Sequence, residues 1–407
     1  MPSALLRDRA RLVSGLLLAL VLVLELIGAA PSALAGPITI TEPPYVLRAF
    51  RWEDQQVRAL SFVGSSGTLL EMRMARPTFG HRRKPSSIGT TSGAVAAING
   101  GFTVSSFGAP RHLTVVRGEI ITSGALWTQP GIVLSMTADR SQAWVGRPRF
   151  SATLTASATS FEITSWNARQ PSATRVTAFT ARGGDEIVPA VTSCWALLEP
   201  VSGARAAHRT YLVTAVRTSP DCDRRPIPPP AGRYADVVLG GGPVGSLALG
   251  ETVTIDIDLG HPGVTDVFGG LPRLVDDGVN VGPACFSTCG PKHGPDRPFY
   301  ARNPRTAVGI TIGCSDEDPL TPCRYVLVTV DGRQPGWSTG LRFPALGELM
   351  LELGSWNAVN LDGGGSTTMW VRRRNGACQE RTQVGCLVNR PPYGERAVID
   401  AVILRTT

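Results

Sequence analysis

The chain reads as short apolar runs, many of them rich in β-branched residues, separated by Gly, Pro and Ser. From Tyr45 onward such runs fall at Thr68–Met74, 113–116, 131–136, 211–216 and 325–330, with the length and composition of strands. Helical periodicity is scarce. Its clearest instance is 345–353, where Leu346, Leu349, Met350 and Leu353 recur at helical spacing and Gly354 supplies a stop. A shorter helix is expected through 86–97. The stretch 221–232 has four prolines between Arg225 and Ala231 and reads as a loop, as does the Gly-, Pro- and His-rich stretch 285–304. No internal repeat is visible. The pattern predicts an α+β fold of strand-rich mixed sheets, with a few helices and long active-site loops.

The first 35 residues follow another logic. Arg7, Arg9 and Arg11 precede an apolar stretch from Leu12 to about Ala30, which ends at Ala33-Leu34-Ala35. This is the three-part layout of a secretory signal peptide. A retained membrane anchor is the alternative, and Glu25 inside the stretch argues against it, because a charge is costly at the centre of a membrane helix. A signal peptide at 1–35 and a proline-bearing linker at 36–45 are therefore expected, with a globular region at 46–407. The implied location is secreted or cell-envelope, with membrane contact only through the signal segment before its removal.

Composition narrows the picture. Hydrophobic residues make up 43% and charged residues 18%, which describes a sizeable core and not a disordered chain. The formal charge of +8 becomes +7 once 1–35 is removed, since three arginines leave together with Asp8 and Glu25. Lys84 and Lys292 are the only lysines. Arginine suits bidentate recognition of phosphate and carboxylate, although composition bias explains most of these. No basic run is dense enough to indicate nucleic acid. Eight cysteines fit an oxidising compartment. Their spacing suggests local bridges, Cys194 with Cys222, Cys285 with Cys289, Cys314 with Cys323, and Cys378 with Cys386. The knuckles of a zinc site are missing, since only Cys285-x-x-x-Cys289 and an isolated His293 are present. The acidic loop Asp316-Glu317-Asp318 is more simply a solvated loop than a calcium site. No metal and no cofactor are expected.

The chemistry concentrates in the C-terminal third. The run 325–330 delivers Asp331-Gly332-Arg333 at its end, and the helix at 345–353 carries Glu348. The strand expected at 358–361 ends in Asp362-Gly363-Gly364-Gly365-Ser366-Thr367-Thr368. An acid released from a strand end into a glycine run lets backbone N–H groups approach a ligand closely. The run lacks the Gly-Lys-Ser/Thr of a phosphate-binding P-loop and the G-x-G-x-x-G of a dinucleotide site. Upstream, Asn99-Gly100-Gly101-Phe102 ends another apolar run, and Asn303-Pro304-Arg305 sets an arginine just before a strand. Downstream, Asn389-Arg390-Pro391 and Glu395-Arg396 lie beside the last strand, at 397–404.

Taken together, these segments resemble the phosphodiester glycosidase family. The resemblance rests on Asn99-Gly100-Gly101-Phe102, Pro304-Arg305-Thr306-Ala307-Val308-Gly309, Val330-Asp331-Gly332-Arg333, Glu348-Leu349, the run from Asn360 to Thr367, Asn389-Arg390-Pro391 and Glu395-Arg396. A weaker match lies at Val267-Phe268-Gly269-Gly270-Leu271-Pro272-Arg273-Leu274-Val275, which resembles the family's Gly-Gly-Pro-x-Leu turn. The resemblance extends from about residue 50 to the C-terminus and is most specific over 304–368. Two features depart from the family pattern. Thr103 stands where a second Phe is common, and 140–235 matches loosely apart from Asn167-Ala168-Arg169.

The resemblance implies a secreted hydrolase acting on a phosphodiester-linked glycan or glycolipid, at the bond between anomeric carbon and phosphate oxygen. Asp362 is the expected carboxylate, as base or nucleophile, with Glu348 and Asp331 as second choices. Capping the helix or holding an arginine is the competing role for Glu348. Arg305 is the expected phosphate ligand, followed by Arg333, with Arg396 paired to Glu395. Asn99, Gly100, Gly101, Asn360, Gly363, Gly364, Gly365, Ser366, Thr367 and Asn389 complete the expected substrate contacts. The readings set against this one are a carbohydrate- or cell-wall-binding protein without turnover and an exopolysaccharide-remodelling enzyme of the same fold.

Overall fold

The computed structural model describes residues 37–104, 108–124, 132–137, 142–168, 171–183, 193–202, 208–218, 222, 236–261, 263–283, 299–314, 323–373 and 375–406. The chain divides into compact units at 1–38 and 39–407. Of the first, only residues 37 and 38 are described, so the expected signal peptide lies outside the described residues.

The larger unit is built on two stacked antiparallel sheets. The first runs, from neighbour to neighbour, Tyr45–Trp52, Gln55–Val63, Arg324–Val330, Arg305–Ile310, Asn357–Asn360 and Arg273–Asp276. The second contains Met369–Val371, Ala96–Asn99, Asp400–Thr406 and Thr68–Met74. Alternation along Arg324–Val330 explains its continuous apolar character. Tyr325 and Leu327 point into a core shared with Leu70, Ile98, Met369 and Val402 of the second sheet. Val326, Val328 and Val330 point the other way, onto helix Phe343–Glu352 through Phe343, Leu346, Leu349 and Met350. A strand covered on both faces has no polar side to display.

The described strands between 151 and 258 leave this layer and form a closed barrel that includes Ser151–Thr155, Ser160–Trp166, His208–Arg217 and Thr252–Asp258, packed around a core that also takes in Leu113, Val115, Ile120 and Val267. The expected α+β class holds, and strands dominate. The helix expected at 345–353 is present, starting two residues earlier at Phe343 with Pro344 in its first turn. The shorter helix covers only Pro85–Thr91, because Gly93 turns left-handed at φ +71° and Ala96–Asn99 then continues as a strand. Ile38–Glu42, inside the segment read as a linker, is also a strand.

The bridges Cys194–Cys222 and Cys314–Cys323 form as the spacing suggested. Cys285 and Cys289 lie outside the described residues, as does Asp316-Glu317-Asp318. The expected bond between Cys378 and Cys386 does not form. The hairpin register sets Arg381 opposite Cys386, leaving Cys378 outside the strand, three residues before Arg381. A disulfide needs facing Cβ atoms, which this offset denies.

Helix seating on the first sheet depends on a residue without a side chain. A Cβ at Gly309 would collide with Ser355 Oγ and lie 2.7 Å from Met350 Cε. Gly309→Ala should therefore destabilise the protein by about 1–3 kcal/mol, read as a lower urea midpoint. An unchanged midpoint would mean that the helix does not sit this tightly.

Candidate active site

Strands from both sheets end at one edge, where the predicted motifs gather. Asn99 closes Ala96–Asn99 in the second sheet, and its amide reaches across to the first. Its Nδ2 donates to the Asp362 carbonyl at 2.7 Å, while its Oδ1 accepts from Thr306 Oγ1 at 2.7 Å and Thr368 N–H at 3.1 Å. Asn99 is fully buried and is absent from the linings of the two cavities described below. The amide expected to touch substrate is committed to holding the loop that follows Asp362.

That loop docks on the Asn303-Pro304-Arg305 turn, with the Gly364 N–H donating to the Pro304 carbonyl at 2.9 Å. Gly364 has φ +62°, and a Cβ there would meet the Arg333 guanidinium at 3.0 Å. Only glycine suits both demands. Asp362 emerges at the meeting point of two open cavities, of about 240 and 220 Å³, whose linings share Asp362 and Phe102. We treat them as two lobes of one cleft.

The first lobe is lined by Phe102, Phe299, Asn303, Arg305, Arg333, Asn360, Asp362, Gly363 and Gly364. Arg305 is buried, with Nε donating to the Leu341 carbonyl at 2.9 Å and Nη2 to the carbonyls of Phe299 and Ala301. Its guanidinium lies 3.9 Å from the Phe343 ring centroid. Burial, with the nearby Arg333 charge, pushes its pKa down to about 9. Among the described residues, Nη1 is the group of Arg305 left without a hydrogen bond. Arg333 is held at φ +57°, a left-handed conformation that costs about 1–3 kcal/mol for a non-glycine residue. Its Nε donates to Asn303 Oδ1 at 3.0 Å. Asn360 donates through Nδ2 to the carbonyls of Leu271 and Leu361, and its buried Oδ1 has no partner among the described residues. The lobe thus combines aromatic faces and two guanidinium groups.

The second lobe is lined by Arg82, Gly101, Phe102, Thr103, Asp362, Ser366, Arg396, Ala397 and Val398. Asp362 accepts the Gly363 N–H at 3.0 Å. Burial pushes its carboxyl above the ordinary range, opposed by the Ser366 hydrogen bond, the Gly363 N–H and the charges of Arg396 and Arg82.

Several predicted site residues serve the scaffold. Asp331 is buried, accepts from Trp337 Nε1 at 2.9 Å and the Arg390 N–H at 2.9 Å, and lines neither lobe. Asn389 joins Asp331, the Thr367 carbonyl and the Met369 N–H. Thr367 is buried beneath the loop. Glu348 stands exposed in mid-helix, too far from the helix start at Phe343 to cap it, and lines neither lobe. Glu395 does not pair with Arg396. It accepts the Ser86 N–H and hydroxyl, each at 2.7 Å, at the start of Pro85–Thr91, where unsatisfied N–H groups favour a carboxylate.

Residue-by-residue reading missed Arg82, Asn303, Phe299 and Asp400. Arg82 had a local signal in His81-Arg82-Arg83-Lys84, whereas Asp400 had none. Asp400 begins strand Asp400–Thr406, and its carboxyl fills the space a Cβ on Gly100 would need. It is 1% exposed, and the Gly101 N–H is the one group that eases its charge, too poorly aligned to count as a regular hydrogen bond. Burial first, and Asp362 second, push its pKa well above the ordinary carboxylate range. A carboxyl raised on folding contributes stability at acid pH and loses it as pH climbs through the raised value. Asp400→Asn should therefore gain in melting temperature over the native chain as the buffer moves from acid to alkaline. A constant difference across that range would contradict the assignment.

Comparison with known proteins bears on this geometry. A Synechocystis protein of no assigned function superimposes with a TM-score of 0.65 at 20% identity over 93% of this chain; the chain spans 64% of that protein's length. A Burkholderia pseudomallei K96243 protein described as exported aligns with a TM-score of 0.58 at 22% identity, covering 86% of this chain and 74% of its own. At those identities the likeness establishes the fold. The catalytic domain of zebrafish N-acetylglucosamine-1-phosphodiester α-N-acetylglucosaminidase aligns at 12% identity and a TM-score of 0.39, covering 91% of this chain and 82% of that domain. That similarity is too low to carry an argument. No curated protein matches the chain. Residues 237–405, which hold the glycine run and every arginine of the cleft except Arg82, match the phosphodiester glycosidase family, the family that the motifs resemble.

Proposed function

We propose that the protein is an exported hydrolase that cleaves the glycosidic bond of a sugar-1-phosphodiester, releasing free sugar and a phosphomonoester. The observation that carries this reading is the position of Asp362, the one carboxylate lining the cleft, beside the paired guanidinium groups of the first lobe. Arg333 and Nη1 of Arg305 supply donors for the phosphate, and their mutual repulsion is relieved by an anion between them. Phe102 and Phe299, with ring centroids 6.0 Å apart, offer apolar faces to the sugar.

A single carboxylate is chemically sufficient for such a substrate. The bond from the anomeric carbon to the phosphate oxygen breaks with its electron pair leaving on the phosphate. A phosphate monoester has its second pKa near about 6 and departs without protonation. Asp362 stabilises the positive charge on the ring, as nucleophile or as base for the incoming water. Water supplies the hydroxyl at the anomeric carbon, and its proton passes to Asp362 and then to solvent. The guanidinium groups stabilise the charge that grows on the leaving oxygen. The two disulfides and the N-terminal layout support export.

Asp362→Asn should lower kcat on a panel of sugar-1-phosphodiesters by about 10²–10⁴-fold, with its melting temperature close to that of the native chain. Full turnover in this variant would exclude the assignment, and binding of the panel without release of sugar by the native chain would favour a binding protein. Arg333→Ala should reduce kcat/KM for the phosphodiester by about 10–100-fold, the loss of a charged hydrogen bond, and affect a phosphate-free aryl glycoside far less. Equal losses on the two substrates would remove Arg333 from the phosphate. Because Asp362 must be ionised and its pKa is raised, kcat/KM should fall on the acid side at a higher pH than an unperturbed aspartate would give.

A further inference from the structure

Beyond the effect of its charges on Asp362, the second lobe has no task in the reaction as described, yet it holds two cations without ion pairs among the described residues. Arg82 and Arg396 are both exposed and line it together with Thr103 and Ser366. Several arginines elsewhere are neutralised by acids, and others, such as Arg58 and Arg372, are satisfied by backbone carbonyls. Arg73 and Arg405 meet Glu71, Arg182 meets Glu119 at 2.5 Å, and Arg273 meets Asp276 at 2.5 Å. Arg82 and Arg396 have no ion pair or hydrogen bond among the described residues. The carboxylate next to Arg396 in sequence, Glu395, is held by Ser86 instead. Asp362 is the one acid in the lining, so two positive charges face a single negative one.

The glycine run explains how the cations are divided. A Cβ at Gly364 would lie 3.0 Å from Arg333 Nη2, and one at Gly365 would lie 3.7 Å from Arg396 Nη1. Consecutive glycines of one loop therefore carry a guanidinium on either side, one in each lobe, with Asp362 between. A neutral sugar gives no reason for the second pair. Exposed, unpaired arginines in a concave site suit a phosphate, which they can bind in bidentate fashion.

We propose that the second lobe is an anion subsite, and that the preferred substrate carries a phosphate on the sugar side of the scissile bond as well as at it. A chain of sugars joined through phosphates has this chemistry, with one sugar at Asp362 and Phe102 and a phosphate in each lobe. The inference rests on the glycosidase reading only for the bond that is cleaved; the anion subsite stands or falls by binding.

Titration of the full chain with inorganic phosphate in a calorimeter tests the subsite directly. Two phosphates should bind per native chain, one per chain of the Arg82→Ala/Arg396→Ala variant, and one per chain of Arg333→Ala. A single phosphate per native chain, whichever variant abolishes it, overturns the proposal. A kinetic arm uses whichever hexose 1-(methyl phosphate) of the panel is cleaved, with and without a further phosphate on its 6-hydroxyl. The native chain should favour the doubly phosphorylated substrate by about tenfold or more in kcat/KM, about 1.4 kcal/mol. In Arg82→Ala/Arg396→Ala that ratio should fall to about one. Equal kcat/KM for the two substrates in the native chain also overturns it. If no phosphodiester is cleaved, the glycosidase reading fails alone, and phosphate stoichiometry still decides the subsite.

Discussion

The cleft depends on the buried amide of Asn99. One side chain joins two sheets by accepting from Thr306 Oγ1 and the Thr368 N–H and donating to the Asp362 carbonyl. These bonds fix the start and the end of the glycine run at once. An unsatisfied polar group in that position would cost about 1–3 kcal/mol, so the three partners hold one another in register. The loop therefore needs no side chains of its own to stay in place. Its glycines can approach Pro304, Arg333 and Arg396 closely, which is what brings guanidinium groups to both sides of Asp362.

Charge distribution follows from that mechanical fact. A buried arginine is costly unless its donors are satisfied, and Arg305 meets the demand with backbone carbonyls and the face of Phe343 rather than with an acid. Because no carboxylate neutralises it, its charge remains available to the lobe. Asp331, the acid nearest in sequence to Arg333, is turned away and held by Trp337 and the Arg390 N–H. Glu395 is likewise drawn to a helix start. The scaffold removes acids from the cleft and leaves Asp362 among cations. Asp400 stays close beneath Gly100 because burial disfavours its charged form.

Much of this was legible in the residue pattern, and the failures have physical causes. The apolar runs located the central strands to within a residue or two, since burial on both faces leaves a strong signature. The same periodicity that predicted helix Phe343–Glu352 already turned Glu348 outward, opposite Leu346, Leu349 and Met350. Motif resemblance drew it into the site against that geometry. Cys378 and Cys386 are near in sequence, yet a disulfide depends on strand register, which spacing does not encode. Asn99 looked like a ligand contact because an asparagine before two glycines reads the same whether its amide faces solvent or a neighbouring sheet.

By itself, the sequence determined the fold class, the strands that deliver Asn99, Arg305, Asp331 and Asp362, and the family that 237–405 matches, because these depend on local periodicity and contiguous motifs. Only the tertiary structure decided which of the gathered polar groups face the cleft and which hold it together. It took Asn99, Asp331, Asn389 and Glu395 into the scaffold and brought Arg82 from 314 residues away to stand with Arg396. The reason is that a polar side chain's role is set by which partners reach it first, and those partners come from strands distant in sequence.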